Sequence, residues 1–152
     1  MTATATSAPD LVLVTCGATK LTSPAPAGQL YTGGYHRLCR QAADALAPAA
    51  VLIVSALHGL LDLAEVVEPY DQAHAAGGAA SPDAMRCKAD QLGVLGARLV
   101  VALGGAGHVE LARPVWPGLV WPLAGLPGIG QHRAVLAGIR RTGRLPAGSV
   151  AG

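Results

Sequence analysis

The segment VLIVSALHGLLDLAEVVEPYD, residues 51–71, carries the clearest structural signal in the chain. It opens with Val51–Val54, a largely β-branched apolar run that is typical of a strand buried on both faces. The run stops abruptly at Ser55, His58 and Gly59. A parallel strand that ends in such residues often builds a binding site, because the loop beyond its carboxyl end opens on a crevice. The alternative is a plain loop whose polar side chains cap the next segment.

Other apolar runs repeat this pattern along the chain. They predict strands at Leu11–Thr15 and Arg98–Leu103, and a short fourth strand at Leu119–Trp121. Amphipathic spacing and capping signals predict helices at residues 34–46, with Thr32 as a cap, and at 82–95, 106–112 and 129–141.

Apolar strands that alternate with helices predict an α/β fold. We expect a single three-layer domain, with a mostly parallel sheet of about four strands and helices on both faces. The domain should span residues 11–144, between a disordered tail at 1–10 and a loose tail at 145–152. A chain of 152 residues is long enough for one such core.

Composition narrows the class of protein. The formal net charge of +2 argues against an extended nucleic-acid surface, and no apolar run is long enough for a membrane span. The amino terminus has no basic start, so it does not read as a signal peptide. Three widely spaced cysteines fit a reduced cytoplasm, and the histidines lack metal-like spacing. We therefore predict a cytoplasmic protein with no metal and no cofactor.

Candidate catalytic residues follow the predicted strands, at the sheet edge where parallel sheets bind ligands. Cys16 is either a nucleophile or a small packing residue, and no residue is evident in the sequence as its base. Lys20 is either an exposed charge or a phosphate-binding or nucleophilic amine. Asp71 is a candidate acid or base. The predicted catalytic residues are Asp71, Lys20, Ser55 and Cys16.

Candidate binding residues are aromatic side chains and glycine turns. Tyrosines are so few that those near the strand ends are candidates for stacking on a flat ring. Glycine turns precede two predicted helices, where backbone amides hold phosphate, although a tight turn explains the glycines equally well. The predicted substrate-binding residues are Tyr31, Thr32, Tyr35, His58, Gly59, Tyr70, Gly104, Gly105, Gly128, Gly130 and Arg133.

Four motifs in order, LVTCGATK (13–20), LYTG (30–33), VSALHGLL (54–61) and PYD (69–71), resemble an uncharacterised bacterial family, domain of unknown function 6884. The chain is also distantly similar to the peroxide-stress YaaA family, which is associated with DNA binding. The spacing of Cys16 and Lys20 before a tyrosine-centred segment resembles the core motif of archaeosine synthase, in which the lysine attacks a nitrile-bearing deazapurine base. These resemblances imply a nucleobase or nucleic acid as partner.

Three functions remain open. The first is an enzyme that acts on a nucleotide or modified nucleobase by N-glycosidic cleavage or base exchange, with Asp71 at the sugar and Arg133 at a phosphate. The second is covalent chemistry through Lys20 or Cys16 on an electrophilic, deazapurine-like base. The third is a non-enzymatic DNA- or RNA-binding module, supported by arginines near the end of the last helix. A homodimer is compatible with each.

Overall fold

A computed structural model describes residues 8–70 and 81–149. It confirms the α/β prediction, since a four-stranded, mostly parallel sheet lies between helices. In chain order the elements are β1 (Leu11–Thr15), β2 (Ala25–Pro26), α1 (Ala27–Leu30), α2 (Gly34–Ala45), β3 (Ala50–Ser55), β4 (Gly59–Asp62), β5 (Val66–Val67), α3 (Pro82–Gln91), β6 (Val100–Leu103), α4 (Ala106–Ala112) and α5 (Ile129–Thr142).

The main sheet has the order β4-β3-β1-β6, with β1 at its centre. β1 runs parallel to both neighbours, so that Val14 lies opposite Ile53 on one side and Leu103 on the other. All of β1 is buried, as its unbroken apolar sequence predicts. β4 pairs antiparallel with β3, and β2 and β5 form a separate two-stranded sheet.

Helices cover both faces of the sheet. Alternate residues of β1 point to opposite faces. Val12 and Val14 pack in one core with residues of α2 and α5, whereas Leu11 and Leu13 pack in the other with residues of α3 and α4. This is the predicted three-layer arrangement.

The predicted strand at 119–121 is wrong. Only Val120 pairs there, through a single parallel bridge to Val101 of β6. Pro117 and Pro122 flank the segment, and proline lacks the N–H that a longer ladder requires.

The fourth strand is β4, which lies in a stretch predicted as a loop. The chain turns directly after Ser55, and Gly59 takes the left-handed conformation with φ of 78°. This conformation suits glycine, and it sends the chain back beside β3. Leu60 and Leu61 then bury on opposite faces of the sheet.

Several element boundaries also differ from prediction. Residues 21–30, where the sequence predicted neither a strand nor a helix, contain β2 and α1. Thr32 does not cap α2, because the residue at the N-cap position is Gly33, which has no side chain to accept a hydrogen bond. α3 ends at Gln91, where the chain turns through Gly93 with φ of 75°.

The start of the domain is held beside the strand β6. Asp10 accepts hydrogen bonds from the backbone N–H groups of Arg98 and Leu99, at 2.7 and 3.1 Å. Residues 1–7 and 150–152 of the predicted tails lie outside the described residues. Within residues 8–70 and 81–149, no helix has the length and apolar character needed to cross a bilayer.

Candidate functional site

Six polar or aromatic side chains meet where β1, β3 and β6 end. Cys16 follows β1, Ser55 closes β3, and His108 lies in α4, directly after β6. Hydrogen bonds and ring contacts join them to their neighbours. We call this group the carboxyl-edge cluster; its members are Cys16, Lys20, Tyr31, Ser55, Tyr70 and His108.

Cys16 and His108 form a thiol–imidazole pair. The Cys16 Sγ lies 3.2 Å from the Nε2 of His108. Burial lowers the pKa of His108, so the imidazole is neutral at neutral pH and can accept a proton from the thiol. Cys16 is 6 % exposed. The sequence offered no base for Cys16, and His108, 92 positions away, was not among the predicted site residues.

Ser55 directs a hydrogen bond to Tyr70. Its Oγ accepts from the backbone N–H groups of Leu57 and His58, at 3.2 and 3.1 Å. A hydroxyl has two lone pairs, so both are occupied and its own proton is left to donate. The acceptor is the Tyr70 hydroxyl, 2.8 Å away. Ser55 is completely buried, so this geometry is fixed by the fold.

Tyr31 and Tyr70 share a further hydrogen bond. Their hydroxyl oxygens are 2.7 Å apart. Burial raises the pKa of both phenols, and the adjacent Cys16 adds to the rise. Both therefore stay protonated at neutral pH and act as hydrogen-bond donors rather than as phenolates.

Lys20 lies over the two tyrosine rings. Its Nζ is 4.3 Å from the ring centroid of Tyr70 and 5.7 Å from that of Tyr31, within the range of a cation–π interaction. It also donates to the carbonyl oxygen of Ala18 at 3.2 Å. A backbone bridge pairs Lys20 with Tyr31, so the segment from Leu21 to Leu30 begins and ends beside the cluster.

A cleft opens on the far side of Tyr70. Its volume is about 330 Å³, and its walls include Leu57, His58, Val66, Pro69 and Tyr70. We call it the His58 cleft. The exposed His58 ring meets Tyr70 edge to face, with centroids 5.2 Å apart. Glu65 and Glu68 also line the cleft. The Oε1 of Glu65 forms a salt bridge with the Nζ of Lys88 at 2.8 Å, so the charge of Glu65 is compensated.

Four of the five glycines predicted to bind substrate lie at turns or helix starts of this fold. Gly59 forms the turn into β4. A Cβ on Gly104 would lie 1.7 Å from the Cγ2 of Thr15, so only glycine fits there. Gly105 and Gly128 occupy the cap positions of α4 and α5.

Tyr35 and Arg133 lie in a second region, between α2 and α5. The Tyr35 hydroxyl is 2.9 Å from the Nδ1 of His132, whose Nε2 donates to the carbonyl oxygen of Leu126 at 3.1 Å. Burial raises the pKa of Tyr35, so it donates to His132. Arg133 and Gly130 are exposed.

The remaining predicted residues are placed as follows. Thr32 lies between the cluster and α2 and is held by its backbone N–H, which donates to the carbonyl oxygen of Thr19 at 3.0 Å. Asp71 lies outside the described residues. Within the described part of the chain, no three His, Cys, Asp or Glu side chains are grouped to hold a metal ion.

Comparison with known proteins identifies the family. The model of a family of unknown function, DUF6884, matches residues 11–138, and the chain belongs to that family. No curated protein and no solved structure matches the chain. The similarities to the YaaA family and to archaeosine synthase therefore stay predictions.

Proposed function

We propose that this protein is an enzyme that acts on a nucleotide or modified nucleobase by covalent catalysis, with Cys16 as the nucleophile and His108 as its base. The observation that carries the proposal is the 3.2 Å separation of the Cys16 Sγ and the His108 Nε2. A cysteine attacks as its thiolate, and a neutral imidazole in hydrogen-bond contact generates that thiolate.

The hydrogen-bonded hydroxyl groups beside Cys16 suit a substrate whose electrophilic carbon is bonded to nitrogen, because they can donate a hydrogen bond to that nitrogen. Ser55 donates to Tyr70, and Tyr70 in turn bonds to Tyr31. These protonated phenols lie next to Cys16 and can donate to the atom that gains charge when sulfur attacks. Lys20 adds positive charge over the same rings.

The His58 cleft favours a flat ring as substrate. Its apolar walls and the edge-to-face pair of His58 and Tyr70 suit an aromatic heterocycle. The carboxylate of Glu68 at its rim can accept hydrogen bonds from ring N–H or amino groups, which nucleobases carry. Its volume of about 330 Å³ falls within the range of small-molecule sites.

The reaction of a nitrile-bearing deazapurine tests the proposal. The Cys16 sulfur would add to the nitrile carbon, and the thiol proton would pass through His108 to the nitrile nitrogen. The product is a thioimidate with no leaving group, so intact-protein mass spectrometry should show a gain equal to the whole compound. The adduct should be absent in Cys16→Ser, and His108→Gln should slow its formation on the order of a hundredfold.

Cys87 provides the matched control. It is exposed, whereas Cys39 is completely buried and burial raises its thiol pKa to about 12. Cys87→Ser should leave the adduct unchanged. An adduct that persists in Cys16→Ser but is lost in Lys20→Met would assign the attack to the lysine. A wild-type protein that binds the compound with no mass gain would overturn the covalent proposal.

N-glycosidic cleavage and nucleic-acid binding stay predictions. Cleavage was assigned to Asp71, which lies outside the described residues. For nucleic-acid binding, the arginines near the end of α5 include Arg140, whose Nη1 donates to the Oε1 of Gln41 at 2.8 Å. The contact between Arg140 and Gln41 does not favour nucleic-acid binding over covalent catalysis.

A further inference from the structure

A second cleft adjoins the carboxyl-edge cluster on the side of Tyr31. Its volume is about 370 Å³, and it runs along α1 and the outer face of α2. We call it the arginine groove, lined among others by Gln29, Thr32, His36, Arg37, Arg40 and Asp44. Tyr31 lines this groove as Tyr70 lines the His58 cleft, and their hydroxyls are bonded at 2.7 Å.

The arginine groove carries an excess of positive charge. Arg37 and Arg40 lie three positions apart on α2, so their guanidinium groups project from the same side of the helix. Among the described residues, the carboxylate that lines the groove with them is that of Asp44, and it lies 3.9 Å from the Nε of Arg40. Gln41, which also lines the groove, accepts a hydrogen bond from the Nη1 of Arg140 at 2.8 Å.

Two nitrogen atoms in the groove wall lack hydrogen bonds. The Nδ1 of His36 is 2.6 Å from the carbonyl oxygen of Thr15, so Nδ1 carries the proton and donates. Burial lowers the pKa of His36, so the ring is neutral and its Nε2 is an acceptor, which has no partner among the described residues. The Nε–H of Arg40 is a donor in the same situation. Buried polar groups of this kind are rare unless a ligand or water completes them. Of the two, only the Arg40 Nε–H can donate to a phosphate oxygen, because the His36 Nε2 is itself an acceptor and needs a hydroxyl or water as its donor.

We propose that the arginine groove binds the phosphate group of the nucleotide substrate, and that Arg37 and Arg40 are its ligands. Guanidinium groups match phosphate geometry through paired, charge-assisted hydrogen bonds. The two clefts differ in the same sense, because the carboxylate of Glu68 in the His58 cleft suits base N–H groups, whereas Arg37 and Arg40 line this groove. The identity of the substrate rests on the proposed function, whereas phosphate binding itself does not.

Titration with inorganic phosphate, followed by backbone amide NMR at low ionic strength, tests the groove. Shifts should centre on residues of α1 and the first turns of α2. Arg37→Gln, at an exposed position that should not disturb the fold, should weaken binding about tenfold, the loss expected for one charge-assisted hydrogen bond. Arg40→Gln should weaken it at least as much.

Arg98→Gln is the matched control, since it removes the same charge from an exposed position elsewhere in the fold. Equal affinities in Arg37→Gln and Arg98→Gln would overturn the proposal. So would shifts centred on Gly128–Arg133 that disappear in Arg133→Gln. A single-stranded oligonucleotide that binds the groove more tightly than a nucleoside monophosphate, with a steep salt dependence, would overturn the assignment to a free nucleotide.

The two readouts fail separately. If covalent catalysis fails, wild-type protein should show no mass gain but should still show phosphate shifts that weaken in Arg37→Gln. If the groove fails, the adduct at Cys16 should still form, whereas phosphate should cause no shift that depends on Arg37.

Discussion

The carboxyl-edge cluster, apart from His108, and the turn that enters α5 were both predicted as parts of a binding site. In the cluster, buried side chains bond to one another, as Ser55 does to Tyr70 and Cys16 to His108. At the turn, Gly130 and Arg133 face solvent, and the ordered contact is His132, which ties the turn to Tyr35. A residue's position directly after a strand therefore places it at the edge of the sheet. Burial and hydrogen bonds between the side chains are what distinguish a preorganised site from a solvated turn.

Replacement of Gly104 should produce the largest loss of stability. It tests most directly whether close packing at the strand ends holds the carboxyl-edge cluster in place. In Gly104→Ala the new Cβ would overlap Thr15, so β1 and β6 must separate beside the cluster. We expect a loss of about 3 kcal/mol or more in the free energy of unfolding, measured by urea denaturation.

Gly107→Ala is the control for Gly104. It lies inside α4 with no atom within 4 Å of the new Cβ, so it should be neutral or stabilise by up to about 1 kcal/mol. Equal destabilisation by both variants would show that the contact with Thr15 is not the cause.

Removal of the Ser55 hydroxyl should have the next largest effect. Ser55→Ala leaves two backbone N–H groups and the Tyr70 hydroxyl without this partner in a buried site. We expect a loss of about 2 to 3 kcal/mol. The matched variant is Ser81→Ala, which removes an exposed cap of α3 and should cost about 1 kcal/mol. Calorimetric unfolding of both would settle the order, and a smaller cost for Ser55 would contradict the importance of its buried network.

A change to acid pH should have the smallest effect on the free energy of unfolding. Burial lowers the pKa of His36 and His108, so the folded state binds fewer protons than the unfolded state below the ordinary value of 6.5. Stability is therefore fully present above about pH 6.5 and falls as the pH drops through the lowered values. Urea denaturation at pH 7.5 and pH 5.5 should show this loss, and His108→Gln should reduce it. An unchanged pH dependence in that variant would contradict a buried neutral His108.

Local patterns in the sequence predicted much of the fold but less of the site. β1 and β3 were predicted because an unbroken apolar run needs no partner to be recognised, and Cys16 and Ser55 followed from their ends. β4 was missed because a four-residue strand after a tight turn has too short a pattern. Its available signals were Gly59 and the pair of leucines that follows.

Pairs that depend on tertiary contacts were beyond local reasoning. His108 meets Cys16 only because β6 lies beside β1, and strand order is not encoded by local periodicity. Tyr31, Tyr70 and Lys20 were each noted as polar or aromatic candidates, but their contacts arise from the return of the chain at Leu30. Asp71 lies outside the described residues, and its role stays a prediction.

The central place of β1 has a consequence for how the chain folds during synthesis. β1 is made first but needs β6, about 90 residues later, to complete its hydrogen bonds. Contacts so distant in sequence slow folding, and until they form the apolar edge of β1 stays open to other chains. The Cys16–His108 pair spans the same interval, so the thiol should meet the imidazole only when the sheet is complete. A nascent or truncated chain that lacks β6 would therefore carry Cys16 without this pairing.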